Sequence, residues 1–137
     1  MPEWLDKSPN LPRRGVIGVV TRDDEYLMIR RAPGIRKGGC WCFPGGHIKA
    51  GETSRQAIQR ELVEELNIRV EPISRLKAIR VPDGNYVLAV WRLRHVSGEI
   101  RPAPDEVADY RWLTAAELRT VQPGLPSNEQ VFRMLGA

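Results

Sequence analysis

The chain has 137 residues, 42% of them hydrophobic and 28% charged, which is enough apolar material for one packed core and too much for a disordered segment. Its formal net charge of +4 suits an anionic ligand but does not mark a nucleic-acid binder. No apolar run reaches the ~20 residues that cross a bilayer, and no apolar leader follows Met1.

Residues 1–14 carry three prolines and read as an N-terminal arm to a single domain. Gly15 to Arg22, GVIGVVTR, is β-branched and apolar, hence a buried strand. Asp23-Asp24-Glu25 turns the chain, and Tyr26 to Arg30 returns as a second strand. Residues 32–39, APGIRKGG, read as a mobile loop with basic residues at its tip. Cys40 to Phe43 is a short strand that Pro44-Gly45-Gly46 ends. The cysteines, Cys40 and Cys42, form a C-x-C pair, a poor disulfide and half a zinc site. Reduced structural thiols in a cytoplasmic protein are expected.

Thr53 followed by Gln56 is a capping box, which starts a helix near Ser54 that runs to about Leu66. Strand patterns follow near 70–81 and 86–96, joined by Pro82-Asp83-Gly84-Asn85 as a hairpin. Tyr110 to Leu113 reads as a further strand. Thr114-x-x-Glu117 caps a short helix, and Ser127-x-x-Gln130 a last one. Strands outnumber helices, and the helices are spread along the chain. The class is α+β, a mixed sheet with helices on its faces.

The first helix crowds three glutamates. At about 100° per residue, Glu65 lies about 40° and Glu64 about −60° from Glu61, so the three share an arc of about 100°. Ile58, Leu62, Val63 and Leu66 occupy the adjacent arc and form the core face. A solvated acidic face is one reading, since like charges on successive turns cost only tenths of a kcal/mol. A divalent-cation site is the other, because hard cations take oxygen ligands. Periodicity does not choose between them.

Spacing does. Gly46, five residues, Glu52, seven residues, Arg60-Glu61-Leu62-x-Glu64-Glu65, one residue, then Asn67-Ile68 resembles the Nudix box. One fixed position departs: Asn67 stands where the box has glycine, at a helix end where a left-handed residue is wanted and Asn is next best. The resemblance implies an α/β/α sandwich and a hydrolase acting on a nucleoside diphosphate linked to another group. It implies Glu61, Glu64 and Glu65 as metal ligands, one of them a general base, with the Gly45 carbonyl completing the coordination of Mg²⁺, or of Mn²⁺ in its place. Glu52 and Arg60 would orient the loop and the carboxylates through a salt bridge. Cys40 and Cys42 are then bystanders.

The resemblance reaches beyond the box. Glu106, in PDEVADYRWL, stands where family members carry a further glutamate facing the metals, with Asp105 and Asp109 as competitors. Arg31, second in Arg30-Arg31-Ala32, matches an arginine set against the phosphates in MutT-type members. Arg36 and Lys37 are candidates for steering phosphate. Asn128, in LPSNEQVFRML, matches an asparagine that reads a purine edge; a place at the start of the last helix is its structural alternative. Phe43 is a candidate wall of the base pocket or plain core, while Trp4, Trp41 and Trp91 are read as packing and His47 is given no role.

The leading expectation is a Mg²⁺-dependent nucleoside triphosphate pyrophosphohydrolase, with 8-oxo-dGTP among the candidate substrates. ADP-ribose, nucleotide sugars and dinucleoside polyphosphates are alternatives, as is a catalytically silent nucleotide-binding module. The expected partner is a small nucleotide, with neither membrane nor nucleic acid, and the expected assembly a monomer or homodimer.

Overall fold

The computed structural model describes residues 11–81 and 85–137. The first ten residues of the expected arm, with Trp4, and Pro82-Asp83-Gly84 of the expected turn lie outside them. The elements run β1 (Arg13–Arg22), β2 (Glu25–Arg31), β3 (Trp41–Cys42), β4 (Gly45–His47), α1 (Ser54–Leu66), β5 (Arg69–Val81), β6 (Tyr86–Ser97), β7 (Val107–Thr114), a 3₁₀ turn (Ala115–Thr120) and α2 (Asn128–Met134).

The strands form one mixed sheet in which β3, β2, β1, β6 and β5 lie side by side, with β4 beside β1 and β7 beside β2. β5 and β6 are antiparallel and meet at Val81 and Tyr86, as the hairpin reading required. β1 runs parallel to β6. On its other edge, β1 pairs with β2 only at Thr21 and Arg22, and with β4 at Gly15, Val16 and Ile17. β2 turns instead to β3 and β7. Gly15, Val16 and Ile17 on that edge of β1, with Gly45, Gly46 and His47 of β4, line a cavity.

Successive strand residues point to opposite faces. Val16 and Val20 of β1 join Ile58, Leu62 and Leu66 of α1 in one core. Val19 joins Leu118, Val131 and Phe132 in the other, beneath the 3₁₀ turn and α2. The architecture is therefore the expected α/β/α sandwich.

Both halves of the Thr53–Gln56 capping box are present, and Asn67 closes α1 at φ 58°, its amide donating to the Leu62 and Val63 carbonyls. Asparagine thus fills the left-handed position at modest cost. Val63, expected on the core face, is 45% exposed. It lies at the far edge of the apolar arc and rotates away from the sheet, while Glu65 takes a buried place at 7% exposure.

Other boundaries moved. β1 begins at Arg13, so the end of the expected arm is already in the sheet. β4 was not expected: Pro44-Gly45-Gly46 reads as a terminator, yet the two glycines pair with β1 because they bring no side chain to the contact. β7 starts three residues earlier than Tyr110. Glu117 reaches back to the Thr114 amide and hydroxyl, but the helix it caps is 3₁₀. Ser127 makes no side-chain cap to α2, contrary to its sequence pattern. The 32–39 loop is compact, with backbone bonds from Ile35 to Ala32, Gly38 to Ile35 and Gly39 to Arg31.

Leu62 is fully buried, so Leu62→Ala should cost about 2–5 kcal/mol in urea unfolding. Val63→Ala, one residue along, should fall within about 0.5 kcal/mol of the parent.

Candidate active site

The box is organised round Arg60. Its Nε donates to Glu52 Oε2 at 2.7 Å and one Nη to Glu52 Oε1 at 3.0 Å, a two-pronged ion pair. The same guanidinium donates to the His47 carbonyl at 2.9 Å, to Glu61 at 3.0 Å and to Glu64 at 3.1 Å. Glu52 also accepts the Lys49 amide at 3.0 Å. Loop and helix are thereby locked together. The Arg60 bonds hold Glu52 below the usual carboxylate range, and Glu52 first among its neighbours raises Arg60.

Beside this lock lies a cavity of about 480 Å³. Gly45, Gly46, Glu61, Glu65 and Glu106 line it, as do Arg31, Phe43 and Asn128. Glu65 accepts the Gly45 amide at 3.0 Å. A Cβ on Gly46 would stand 2.7 Å from Glu61 Oε2, so the close approach of loop to carboxylate requires glycine there. Asp105 and Asp109 do not line the cavity, which leaves Glu106 of the three acidic candidates. Glu64 does not line it either; its side chain is 48% exposed and pairs with Arg60.

The sequence-chosen binding residues fall on the same cavity. Arg31 lines it, whereas Arg30 is exposed and donates to the Gly39 carbonyl. Asn128 is the first residue of α2 and is 7% exposed; its Nδ2 donates to the Trp41 carbonyl at 2.9 Å. A carbonyl partner fixes the amide orientation and leaves Oδ1 as the atom for a ligand. Phe43 is both wall and core, 3% exposed and edge-on to Phe132 with centroids 5.9 Å apart. Trp41 is buried, and Trp91 Nε1 donates to Ser54 Oγ, so both are packing residues.

Sequence reading passed over His47 and Tyr86, which line the cavity with ring centroids 5.6 Å apart. Burial first, then the charges of Arg13 and Arg36, make His47 harder to protonate. No sequence pattern marks Tyr86: it opens a strand, and only the parallel pairing with Arg13 brings it to the site. Cys42 also touches the cavity, but burial pushes its thiol up to about 12, opposed by the neighbouring Arg31, so it stays protonated at neutral pH. This agrees with its reading as a bystander.

Burial raises Glu61 first of all, Arg60 opposing and Glu64 and Glu106 adding like charge. Glu65 is raised well above the ordinary range by burial, then by Glu61 and Glu106, against the Gly45 amide and Arg31. Among the described residues no three His, Cys, Asp or Glu side chains stand close enough to enclose a metal ion as they are. The donor chemistry fits one nonetheless. Three carboxylates border one cavity, and burial with neighbouring like charge makes two of them, Glu61 and Glu65, harder to ionise, which is the tension a hard divalent cation removes.

The NUDIX domain family model matches residues 11–135. The chain belongs to the Nudix hydrolase family. Members of this family generally use divalent cations. Over 114 residues it is 36% identical to a Mycobacterium tuberculosis protein named "Putative 8-oxo-dGTP diphosphatase 2", covering 77% of this chain and 76% of that one. It is 29% identical over 123 residues to the NAD-capped RNA hydrolase NudC of Stutzerimonas stutzeri. That match takes in 88% of this chain but only 41% of the relative, so this Nudix chain spans well under half the length of the NudC proteins it resembles. The crystal structure of a MutT NUDIX hydrolase from Burkholderia pseudomallei superposes with a TM-score of 0.82 at 28% identity, over 92% of this chain and 99% of the other. Among the described residues no helix of this Nudix fold is long and apolar enough to cross a membrane.

The raised Glu65 carries a sign. Its contribution to stability is full below the unfolded value of 4.5 and is lost as pH rises through the folded one. Without divalent metal at pH 8, Glu65→Gln should therefore melt a few degrees above the parent. Adding Mg²⁺ should raise the parent's melting temperature and leave the variant's nearly unchanged, as scanning calorimetry would record.

Proposed function

We propose that this Nudix chain hydrolyses the pyrophosphate bond of a nucleoside diphosphate joined to another group, with Mg²⁺ as cofactor and a nucleoside triphosphate as substrate. The observation that carries the reading is the division of one cavity between carboxylates, Glu61, Glu65 and Glu106, and the oriented amide of Asn128. The first suit a metal-bound diphosphate and the second a base edge. The name carried by the Mycobacterium relative supports the same class, and an oxidised purine triphosphate such as 8-oxo-dGTP belongs to it.

When bound, the cation neutralises phosphate charge and acidifies a water. Glu61 and Glu65 would hold it, with Glu106 and the Gly45 carbonyl as further oxygen donors, while Glu64 stands outside on Arg60 in this arrangement and would join by turning inward. One of the cavity carboxylates, in its ionised form, would accept the proton of the attacking water. Arg31, beside Glu65, binds a phosphate oxygen. Asn128 Oδ1 accepts from an N–H of the base, the amide being held in orientation by the bond from Nδ2 to the Trp41 carbonyl. Arg60 and Glu52 touch no substrate; they position Glu61 and the loop.

The test is a panel run with Mg²⁺ and with Mn²⁺: canonical and oxidised nucleoside triphosphates, ADP-ribose, diadenosine polyphosphates and an NAD-capped RNA, the last because of the names of the NudC relatives. Turnover of a triphosphate should be the fastest. Glu61→Gln should lower it by about 10²–10⁴ while the protein stays folded. Binding that survives this change, with no turnover by the parent on any substrate, would mark a silent module instead. Activity confined to ADP-ribose would remove the base-reading role of Asn128.

A further inference from the structure

An α-helix ends with backbone carbonyls that have no partner inside it. The last two of α1 are met by the loop between β6 and β7. The Arg101 amide donates to the Leu66 carbonyl at 2.9 Å, and the Ala103 amide to the Glu65 carbonyl at 2.8 Å. Asn67, just past the helix, adds a third bond: its Nδ2 donates to the Arg101 carbonyl at 2.6 Å. The loop also enters past this residue. A Cβ on Gly98 would stand 2.8 Å from the Asn67 carbonyl oxygen, and the Gly98 φ is 94°, so the close approach requires glycine. Arg101 is thus gripped through both its amide and its carbonyl by consecutive residues at the helix end.

The same loop carries Glu106 to the cavity. Pro102 and Pro104 alternate with the two donors, Arg101 and Ala103. A proline has a fixed φ, so the stretch has few ways to bend between the grip and the turn that follows. That turn closes on Ala103, whose carbonyl accepts the Glu106 amide at 3.0 Å and the Val107 amide at 2.8 Å. The Glu106 carbonyl accepts the Ala32 amide at 2.9 Å, and the Glu106 side chain lines the cavity with Glu61 and Glu65. The helix bearing two of these carboxylates and the loop bearing the third are therefore joined at Asn67 and the two carbonyls before it. Asn67 is also where the chain departs from the box. Glycine takes a left-handed φ most easily but has no side chain. Asparagine holds φ 58° and supplies the donor that glycine lacks.

We propose that Asn67 is a positioning residue: its side-chain amide ties the loop over 98–106 to the end of α1 and so sets the place of Glu106 beside Glu61 and Glu65. This rests on the hydrolase reading above, with Glu106 among the oxygen donors, and deepens it. Asn67 touches no substrate. With glycine in its place the two backbone bonds to the loop remain, but the Arg101 carbonyl is no longer held. A small displacement of a carboxylate is enough to slow a reaction that depends on placement. The effect falls on turnover and not on nucleotide binding, because Arg31, Phe43 and Asn128 line the cavity from other segments.

Asn67→Gly isolates the amide, since glycine takes the same backbone conformation without strain. The variant should melt within about 5 °C of the parent. With Mg²⁺ and a nucleoside triphosphate, its kcat should fall about tenfold while KM changes less than about twofold. Asn67→Asp keeps the shape and the left-handed tolerance but has no donor, and should lose as much. Hydrogen exchange on the metal-free protein, followed by NMR, should show the Arg101 and Ala103 amides exchanging about tenfold faster in both variants, with Ala57 and Ile58 in α1 unchanged. In a Glu106→Gln background, Asn67→Gly should add little further loss, because both changes act through one carboxylate. Losses that multiply, a rise in KM at parental kcat, parental turnover in both Asn67 variants, or unchanged exchange at Ala103 each overturn the positioning role and leave the hydrolase reading intact. Parental turnover by Glu106→Gln overturns it too, since Asn67 then has nothing to position. A parent protein that hydrolyses no member of the substrate panel overturns both.

Discussion

Arg60 is the point on which the site turns. Five acceptors belonging to Glu52, Glu61, Glu64 and the His47 backbone converge on a single guanidinium, with the loop on one side and the helix on the other. A planar group with donors in a fixed fork can satisfy several carboxylates at once in a way a lysine cannot. Because the side chain is largely buried, removing it would strand Glu52 as a buried charge as well as losing its own bonds. The same contact sets the rotamer of Glu61 and brings Gly46 close against that carboxylate. Geometry at the cavity is inherited from this network.

The fold tolerates a local cost to keep that geometry. Glu65 is almost completely buried, and burial first, then the charges of Glu61 and Glu106, make it harder to ionise. An apolar residue at Glu65 would serve the core better. Retaining a carboxylate there, under a backbone amide that favours its charged form, gives up stability, as the proposed cation-binding role would require. Asn128 shows a milder version of the same cost: a buried polar group whose amide is held by its bond to the Trp41 carbonyl.

Much of this was legible in the chain. The bounds of α1, near Ser54 and about Leu66, were readable because its start has a capping box and its end a left-handed Asn, although Val63 and Glu65 exchange the places the apolar period assigns them. The box spacing picked out Glu52, Arg60, Glu61 and Glu65, and the short segments RRA and PSNE located Arg31 and Asn128. The same spacing picks out Glu64, yet its side chain turns to Arg60, a choice of rotamer that no pattern contains. β4 was missed because glycine pairs signal turns, and here their lack of side chains serves a strand contact instead. Tyr86 and His47 were missed for a different reason. Their meeting depends on β1 lying between β6 and β4, a long-range arrangement with no local trace.

That central position of β1 also bears on how the chain is made. Nine consecutive residues, Arg13 to Thr21, find their parallel partners between Tyr86 and Arg94, more than seventy positions later. A ribosome adding about 5–20 residues per second keeps the first strand waiting for several seconds at least. Its apolar side chains, Val16, Val19 and Val20, have meanwhile the short contacts with β2 and β4 and one face of α1 to shelter them. Assembly of the nascent domain is therefore set by the arrival of its second half, and the earliest strand to emerge is among the last to be locked in place.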